Sequence, residues 1–173
     1  GNFSNDLPPL TKVSLPSQLQ SIGSPFFGQE SLKEVVFRGN WKIIPSGLFS
    51  GTGLEKLVIP EGVTEIGSYA FSGSSLKEVV LPSTLKKIGT GAFQRTQLTS
   101  ITLPEGLTEI GSNAFSYSSL KEVVLPSTLT KIGDNAFRGT QLTKLTLPEG
   151  VTEIGYEAFS YSSLKEVVLP STL

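Results

Sequence analysis

The chain of 173 residues contains no cysteine, no histidine and no methionine. Because disulfides are impossible without cysteine, packing alone must hold the fold together. The same absences argue against zinc, iron–sulfur, haem and copper centres, which depend on those side chains. Hydrolases that pair a serine or cysteine nucleophile with a histidine base are excluded for the same reason. We therefore expect no metal and no cofactor.

Aspartate is scarce as well, since Asp6 and Asp134 are the only two in the chain. A carboxylate catalyst would have to rely on glutamates, but these recur at fixed intervals beside lysines, as solvated surface residues do. Such alternation also does not make the convergent carboxylates that calcium requires. Glycines are spread along the chain and do not cluster into a phosphate-binding loop. The sequence therefore predicts that the chain is not an enzyme.

Charge is balanced, with 14 Lys and Arg against 15 Asp and Glu and a net charge of −1. A nucleic-acid-binding surface needs a basic stripe that neutralises phosphates, so no nucleic-acid partner is expected. No apolar run approaches the roughly 20 residues of a membrane-spanning helix, so no membrane insertion is expected. Residues 1–9 lack the basic start and the apolar stretch of a signal peptide.

What the sequence does contain is a repeat of 22 residues with the pattern L-x-x-V-x-L-P-x-x-L-x-x-I-G-x-x-A-F-x-x-x-x. A fixed period of this size predicts a solenoid, in which each repeat forms one coil stacked on the next. Residues 10–173 are predicted to form a single array of seven full repeats and a truncated eighth. Residues 1–9 are predicted to be an N-terminal segment that partly caps the array. The leucines that open the repeats are Leu10, Leu32, Leu54, Leu76, Leu98, Leu120, Leu142 and Leu164.

One repeat, from residue 76 onward, shows how a coil is expected to fold. Val79 and Leu81 alternate with outward residues, which predicts a short strand that ends at Pro82. The x-x-A-F segment is predicted to form one helical or 3₁₀ turn, preceded by a capping residue such as Thr90 or Asp134. The phenylalanine of this segment is expected to stack from coil to coil in one buried row. Its members are Phe27, Phe49, Phe71, Phe93, Phe115, Phe137 and Phe159.

Charged columns support the stacking of equal positions in successive repeats. Neighbouring strands of a sheet lie about 4.8 Å apart, so like charges at equal positions would repel each other. The second, third and twelfth positions never place two like charges in adjacent repeats. Copies two repeats apart are nearly identical, so a coil with LPST alternates with a coil with PEG at a 44-residue superperiod. The third-position residues are Glu34, Lys56, Glu78, Ser100, Glu122, Lys144 and Glu166.

The LP, IG and AF pairs of the repeat, as in Leu103-Pro104 and Ala114-Phe115, resemble the BspA-type leucine-rich repeat, also called the Treponema pallidum type. The resemblance implies a leucine-rich-repeat solenoid of the α/β superhelix class, mostly β. Its 22-residue coils would carry a parallel sheet on the concave face and short extended or helical turns on the convex side. It also implies a cell-surface or secreted protein that adheres to matrix or cell-surface proteins, and it brings no catalytic residues. Where the family often has cysteine three residues after the phenylalanine, this chain has mostly serine or threonine, which can cap the turn.

The outward positions of the first strand are the candidates for partner binding. The fifth position is valine or threonine from the second repeat onward, which predicts an exposed β-branched stripe beside the charged column. Strand propensity alone explains such residues equally well. Tyr117 and Tyr161 are secondary candidates, because exposed tyrosine favours interfaces. The candidates on the concave face are Glu78, Val80, Ser100, Thr102, Glu122, Val124, Lys144 and Thr146.

Three functions remain open on the sequence. The first is a non-enzymatic protein–protein interaction module, the adhesion region of a cell-surface or secreted protein, with an extracellular matrix or cell-surface protein as its partner. The second is a structural spacer in a larger surface protein, and the third is an engineered or consensus-like repeat scaffold. The last strand is also expected to expose an unpaired edge, which favours end-to-end self-association.

Overall fold

The computed structural model describes residues 8–19, 23–24 and 26–173. Successive coils carry parallel strands at a spacing of 22 residues, so the chain is a solenoid, as the repeat predicts. Each coil has a first strand of three or four residues, and most coils have a second strand of two residues. The first strands are β1 (Lys12–Leu15), β2 (Glu34–Phe37), β4 (Lys56–Val58), β6 (Glu78–Val80), β8 (Ser100–Thr102), β10 (Glu122–Val124), β12 (Lys144–Thr146) and β14 (Glu166–Val168). The second strands are β3 (Ile43–Ile44), β5 (Glu65–Ile66), β7 (Lys87–Ile88), β9 (Glu109–Ile110), β11 (Lys131–Ile132) and β13 (Glu153–Ile154).

The described part of the chain forms no helix, and so it holds no helix that could cross a membrane. The predicted cap over residues 1–9 falls mostly outside the described residues. Pro8 and Pro9, which are described, are exposed.

The second strands form one continuous parallel sheet of six strands, in the order β13-β11-β9-β7-β5-β3. Equal positions of successive repeats face one another, as Lys87 faces Glu109 and Lys131 faces Glu153. Both of these pairs form ion pairs, at 3.9 and 3.5 Å. The predicted stacking of equal positions is therefore confirmed.

The first strands hydrogen-bond only in pairs. These pairs are β1 with β2, β4 with β6, β8 with β10, and β12 with β14. We call two coils joined in this way a coil pair, and the boundary between two coil pairs a junction. The parallel sheet expected on this side of the solenoid is thus present as separate two-stranded pieces, because the ladder is interrupted at every second step.

From β4 onward, the alternation of the two coil types explains this pairing. Glu61 of a PEG coil accepts hydrogen bonds from the backbone N–H and the hydroxyl of Ser83 in the following PST coil, at 3.0 and 2.8 Å. Thr84 accepts from the Gly62 N–H at 3.0 Å and donates to the Val63 carbonyl at 2.7 Å. A PST coil has no glutamate at this position to offer to the PEG coil that follows it. These contacts therefore hold coils together within a coil pair and not across a junction.

The clamp recurs 44 residues later, where Glu105 accepts from the backbone N–H and the hydroxyl of Ser127 at 3.1 and 2.7 Å. Hydrogen bonds to a carboxylate favour its charged form. The backbone N–H and then the hydroxyl of Ser83 lower the pKa of Glu61. The hydroxyl and then the backbone N–H of Ser127 lower the pKa of Glu105. The clamp therefore contributes to stability when the glutamate is ionised.

The segments around the A-F motif are chains of tight turns and not the predicted helical or 3₁₀ turns. From the second coil onward, two residues of each segment have a positive φ, as Gly91 (60°) and Arg95 (54°) do. Left-handed residues at both ends leave too few residues between them for a helix. Between them, the Phe93 N–H donates to the carbonyl of the next coil's alanine at 2.8 Å. Asp134, at the predicted cap position, accepts from the N–H of Tyr156 in the next coil at 2.7 Å and so joins two coils.

The phenylalanines of these segments stack in a buried row through the core. The rings of Phe93 and Phe115 are fully buried, with centroids 5.5 Å apart and planes 7° apart. The row begins at Phe26 and not at the predicted Phe27. Phe26 is buried and stacks on Phe49 at 6.2 Å, whereas Phe27 is 66% exposed.

The backbone of the first coil accounts for this correction. Gly28 has a φ of 70° and donates its N–H to the Ser50 carbonyl at 3.2 Å. One coil later, Gly51 has a φ of 68° and donates to the Ser72 carbonyl at 2.8 Å. Gly28 and Gly51 thus occupy equivalent places, although they are one residue out of step with the repeat. The turn of the first coil is displaced by one residue, and Phe26 takes the inward position.

Hydroxyl groups cap these turns where the residue three places after the phenylalanine is threonine. Thr52, Thr96 and Thr140 are buried, and each hydroxyl donates to the carbonyl of that phenylalanine at 2.8 Å. Ser74 and Ser118 are buried at the same position, but their hydroxyls have no hydrogen-bond partner. Ser162 at the same position donates its hydroxyl to the Phe159 carbonyl at 2.6 Å. The predicted cap is therefore made by the threonines and by Ser162, and not by Ser74 and Ser118.

Candidate protein-binding face

All eight candidate binding residues are exposed, and they lie on β6, β8, β10 and β12. Along each strand, the third- and fifth-position side chains are exposed and the one between them is more buried. Val80 and Val124 are 59% and 58% exposed, which is high for an apolar side chain. The candidates thus share one side of the solenoid, which we call the first-strand face.

Coil pairs divide this face into units. Ser100 faces Glu122, and Thr102 faces Val124, within the pair formed by β8 and β10. The candidates on β6 belong to the coil pair before, and those on β12 to the coil pair after. The structure therefore brings four of the eight candidates together in one hydrogen-bonded unit.

On the first-strand face, the ion pairs lie inside coil pairs. Lys56 and Glu78 approach to 3.6 Å, and Lys144 and Glu166 to 4.0 Å. Glu122 and Lys144 occupy equal positions on the two sides of a junction, but these two described residues form no ion pair with each other. Because the paired side chains are exposed, each pair contributes only about 0.2–1 kcal/mol.

An open groove of about 1040 Å³ lies at the junction between β10 and β12. We call it the β10–β12 groove. The two strands and the residues beside them form its walls, and the groove opens to solvent. Its lining residues are Lys121, Glu122, Val123, Val124, Leu125, Gln141, Thr143, Lys144, Leu145, Thr146, Pro148 and Ser163.

The apolar part of the groove consists of residues that the repeat pattern assigns to the core. Val123 and Leu125 are only partly buried. The equivalent residues of β8 and the residue after it, Ile101 and Leu103, are 5% and 2% exposed. The repeat pattern does not reveal Val123 and Leu125 as surface residues, because their periodicity matches that of a core strand. The signal that could have revealed them is the 44-residue alternation of coil types.

A smaller groove of about 540 Å³ lies at the preceding junction, between β6 and β8. The side chains that line it are polar, and they come from both sides of the junction. They are Lys77, Glu78, Gln97, Thr99, Ser100 and Ser119. The two grooves show that opening at a junction recurs, whereas the apolar lining distinguishes the β10–β12 groove.

The two candidate tyrosines lie in the turn segments and not on the first strands. Tyr117 is 51% exposed, and its ring packs against Gly139, where it would meet a Cβ on that residue. The Cζ atom of Arg95 lies 5.8 Å from the centroid of the Tyr117 ring. Tyr161 is 77% exposed, and the Cζ atom of Arg138 lies 4.8 Å from the centroid of its ring. Since each ring already contacts an arginine, both tyrosines contribute to packing between coils.

A parallel-strand solenoid with leucine-rich coils of 22 residues is a leucine-rich repeat fold. The family model of the BspA type leucine rich repeat region matches the chain in six copies, over residues 2–121 and 64–173. The chain therefore belongs to the BspA-type leucine-rich repeat family. No curated protein is detectably similar to it in sequence.

Solved structures of bacterial proteins share the fold. The pneumococcal vaccine antigen PcpA is 27% identical, with a TM-score of 0.69 over 95% of this chain and 44% of that one. The Treponema pallidum leucine-rich repeat protein is 26% identical, with a TM-score of 0.52 over 92% of this chain and 59% of that one. A leucine-rich repeat protein from Bacteroides ovatus is 24% identical, with a TM-score of 0.58 over 95% of this chain and 56% of that one, and it shows the fold alone. The chain spans about half the length of these structures.

Proposed function

We propose that this chain is a non-enzymatic protein-interaction module, the adhesion region of a cell-surface or secreted protein. Its partner is a matrix or cell-surface protein, which it contacts through the first-strand face. The observation that carries the proposal is the row of exposed valines on that face, Val58, Val80 and Val124, which are 65%, 59% and 58% exposed. Apolar side chains held outward beside charged ones offer a partner both buried area and orientation.

The surrounding structure supports this role because a packed core lies behind the face. Most of the leucines, isoleucines and phenylalanines of the repeats are buried there, and the second strands hold the coils in one continuous sheet. A face that is held in place by packing loses little conformational entropy when it binds. The similarity to a vaccine antigen supports a location at the cell surface, where such an antigen is accessible.

The test is binding of the chain to a panel of matrix and cell-surface proteins, measured by biolayer interferometry at physiological salt. The face variant carries Glu78→Lys, Val80→Glu, Glu122→Lys and Val124→Glu. A matched control makes the same net change of charge on the second-strand side, with Thr108→Glu, Glu109→Lys, Thr130→Glu and Glu153→Lys. Circular dichroism checks that both variants remain folded.

Saturable binding that the face variant loses and the control variant retains is the expected result. Equal binding by both variants would show that the partner contacts a surface other than the first-strand face. Binding to no member of the panel would leave the spacer as the better function, because a spacer needs only its core and its length.

A further inference from the structure

The β10–β12 groove separates two strands whose neighbouring edges have no partner. Within the described residues, no backbone hydrogen bond joins β10 to β12, although both strands are bonded on their other sides. Most Cα–Cα distances between the two strands exceed 8 Å, whereas bonded first strands mostly lie within that distance. The two strands are therefore not paired with each other, and their facing edges are separated. Just before the strands, the Gln141 N–H donates to the Leu120 carbonyl at 2.9 Å, so the opening begins beyond this bond. A strand inserted between the two edges would hold them about 9.6 Å apart, twice the usual spacing.

The bonds inside the coil pairs fix which backbone groups face the groove. On β10, the Glu122 N–H donates to the Thr99 carbonyl, and the Val124 carbonyl accepts from the Leu103 N–H, at 3.3 and 3.0 Å. Along a parallel strand, alternate residues direct their N–H and C=O groups to opposite neighbours. Val123 and Leu125 therefore direct their backbone groups into the groove.

The opposite wall follows the same rule. The Leu147 N–H donates to the Val168 carbonyl at 2.9 Å, and the Thr143 carbonyl accepts from the Glu166 N–H at 3.3 Å. Both bonds join β12 to β14, so Lys144 and Thr146 direct their backbone groups the other way, toward β10. Four backbone amides thus meet across the groove without a protein partner.

The side chains of the groove select the kind of strand. Val123 and Leu125 leave apolar surface partly exposed on the first wall. The charged lining residues are two lysines, Lys121 and Lys144, and one glutamate, Glu122, so the groove is net positive. Lys144 pairs with Glu166 at 4.0 Å, and this long, exposed ion pair is weak enough for a ligand carboxylate to replace it. The five residues from 121 to 125 offer about 16 Å of edge, the length of a short strand.

We infer that the β10–β12 groove is a strand-insertion site, which takes an extended, acidic segment of a partner protein with alternating apolar residues. The inserted strand bonds to both edges, its apolar side chains lie on Val123 and Leu125, and its carboxylates lie near the two lysines. This inference rests on the proposed function, because it specifies how the first-strand face would bind a protein partner.

Hydrogen exchange measured by NMR on the free chain is the first test. The amides of Val123, Leu125, Lys144 and Thr146 should exchange at least about tenfold faster than those of Glu122 and Leu147, which are bonded inside coil pairs. Protection of all these amides in the free chain would show that the junction is closed in solution, and the inference would be overturned.

The second test adds a nine-residue peptide, acetyl-STVEVTVES-amide, at concentrations up to about 1 mM. The expected result is slower exchange, by at least about tenfold, at the four groove amides. The control is the same peptide with two alternate backbone amides N-methylated, which removes two of the donors to one edge. A Lys144→Gln variant should bind the peptide several-fold more weakly, and a Lys144→Arg variant should bind it as the parent chain does.

Failure of this inference is distinguishable from failure of the proposed function. No protection at the groove amides, or equal binding of the N-methylated peptide, overturns strand insertion. The first-strand variant described above can still abolish binding of a protein partner in that case, because its substitutions act through outward side chains. Protection at the groove amides that the control peptide does not produce supports the inference.

Discussion

Replacing Phe26 or Phe27 with alanine tests the displaced turn of the first coil. Phe26 is 6% exposed and stacks on Phe49 at 6.2 Å, whereas Phe27 is 66% exposed. Replacement of a buried phenylalanine by alanine costs about 3–5 kcal/mol. Phe26→Ala should cost about 3 kcal/mol, at the lower end, because a ring at the end of the row has one stacked neighbour. Phe27→Ala should change stability by less than about 0.5 kcal/mol.

The internal reference for this comparison is Phe93→Ala. Phe93 is fully buried between Phe71 and Phe115, at 5.3 and 5.5 Å. Because it loses two ring contacts and leaves a closed cavity, its replacement should cost about 4–5 kcal/mol, at the upper end of the range. The three variants should therefore rank Phe93, Phe26, Phe27 in order of decreasing loss.

Urea denaturation measures these differences, followed both by circular dichroism and by the fluorescence of Trp41. Trp41 is the single tryptophan of the chain and is 1% exposed, so it reports on the packing of the second coil. Coincident transitions with the two probes would justify a two-state free energy, which long repeat arrays do not always give. If Phe27→Ala destabilises the chain more than Phe26→Ala does, the first coil follows the 22-residue period and the displaced turn is refuted.

Three further predictions concern other parts of the solenoid. Thr96→Val should cost about 1 kcal/mol of stability because it removes the buried hydrogen bond to the Phe93 carbonyl. Ser118→Ala should be neutral or stabilising because the Ser118 hydroxyl is buried without a hydrogen-bond partner. Urea denaturation midpoints measure both variants, and an equal loss of stability would contradict the predicted difference. Glu105→Gln should reduce the pH dependence of stability. The lowered pKa of Glu105 gives stability that is present above the ordinary pKa of 4.5 and is lost as the pH falls through the pKa of the folded state. The thermal unfolding temperatures of variant and parent, measured from pH 6 to 3, should therefore converge at low pH. The exposed apolar side chains of the last coil, such as Leu169 at 59%, predict association that increases with concentration, and a constant monomeric mass in light scattering would contradict it.

The repeat predicts the solenoid because a constant period places each coil in the same way on the one before it. Once one coil has an inward face, a constant period carries the same face through the array, so the buried row of Phe49, Phe71 and Phe93 follows from one repeat. The charged columns confirm the register independently, as the ion pair between Lys131 and Glu153 shows. The eight outward candidates are exposed for the same reason.

Features that depend on a departure from the period are not predictable in this way. Phe26 and Phe27 are adjacent and chemically identical, so only the left-handed Gly28 decides which ring enters the core. The helical turn was predicted from a capping residue, but left-handed residues such as Arg95 and Tyr117 prevent it. Left-handed backbone is uncommon for such side chains, so the sequence carries little signal for it.

The junctions persist because other contacts hold the coils together there. The ion pairs between Lys87 and Glu109 and between Lys131 and Glu153 both cross junctions, and the stacked phenylalanines continue without interruption. The first strands at a junction lack the clamp that Glu105 and its equivalents make inside a coil pair.

Opening the ladder at a junction leaves backbone groups in contact with water, which satisfies them, so each lost bond costs only about 0.5–1.5 kcal/mol. The wall residues Val123 and Leu125 keep part of their surface in water as well. An open junction therefore costs the chain little free energy. A strand that filled it would restore the hydrogen bonds and bury the apolar surface. The 44-residue alternation of coil types is thus more than a trace of duplication, since it determines where the face of the solenoid opens.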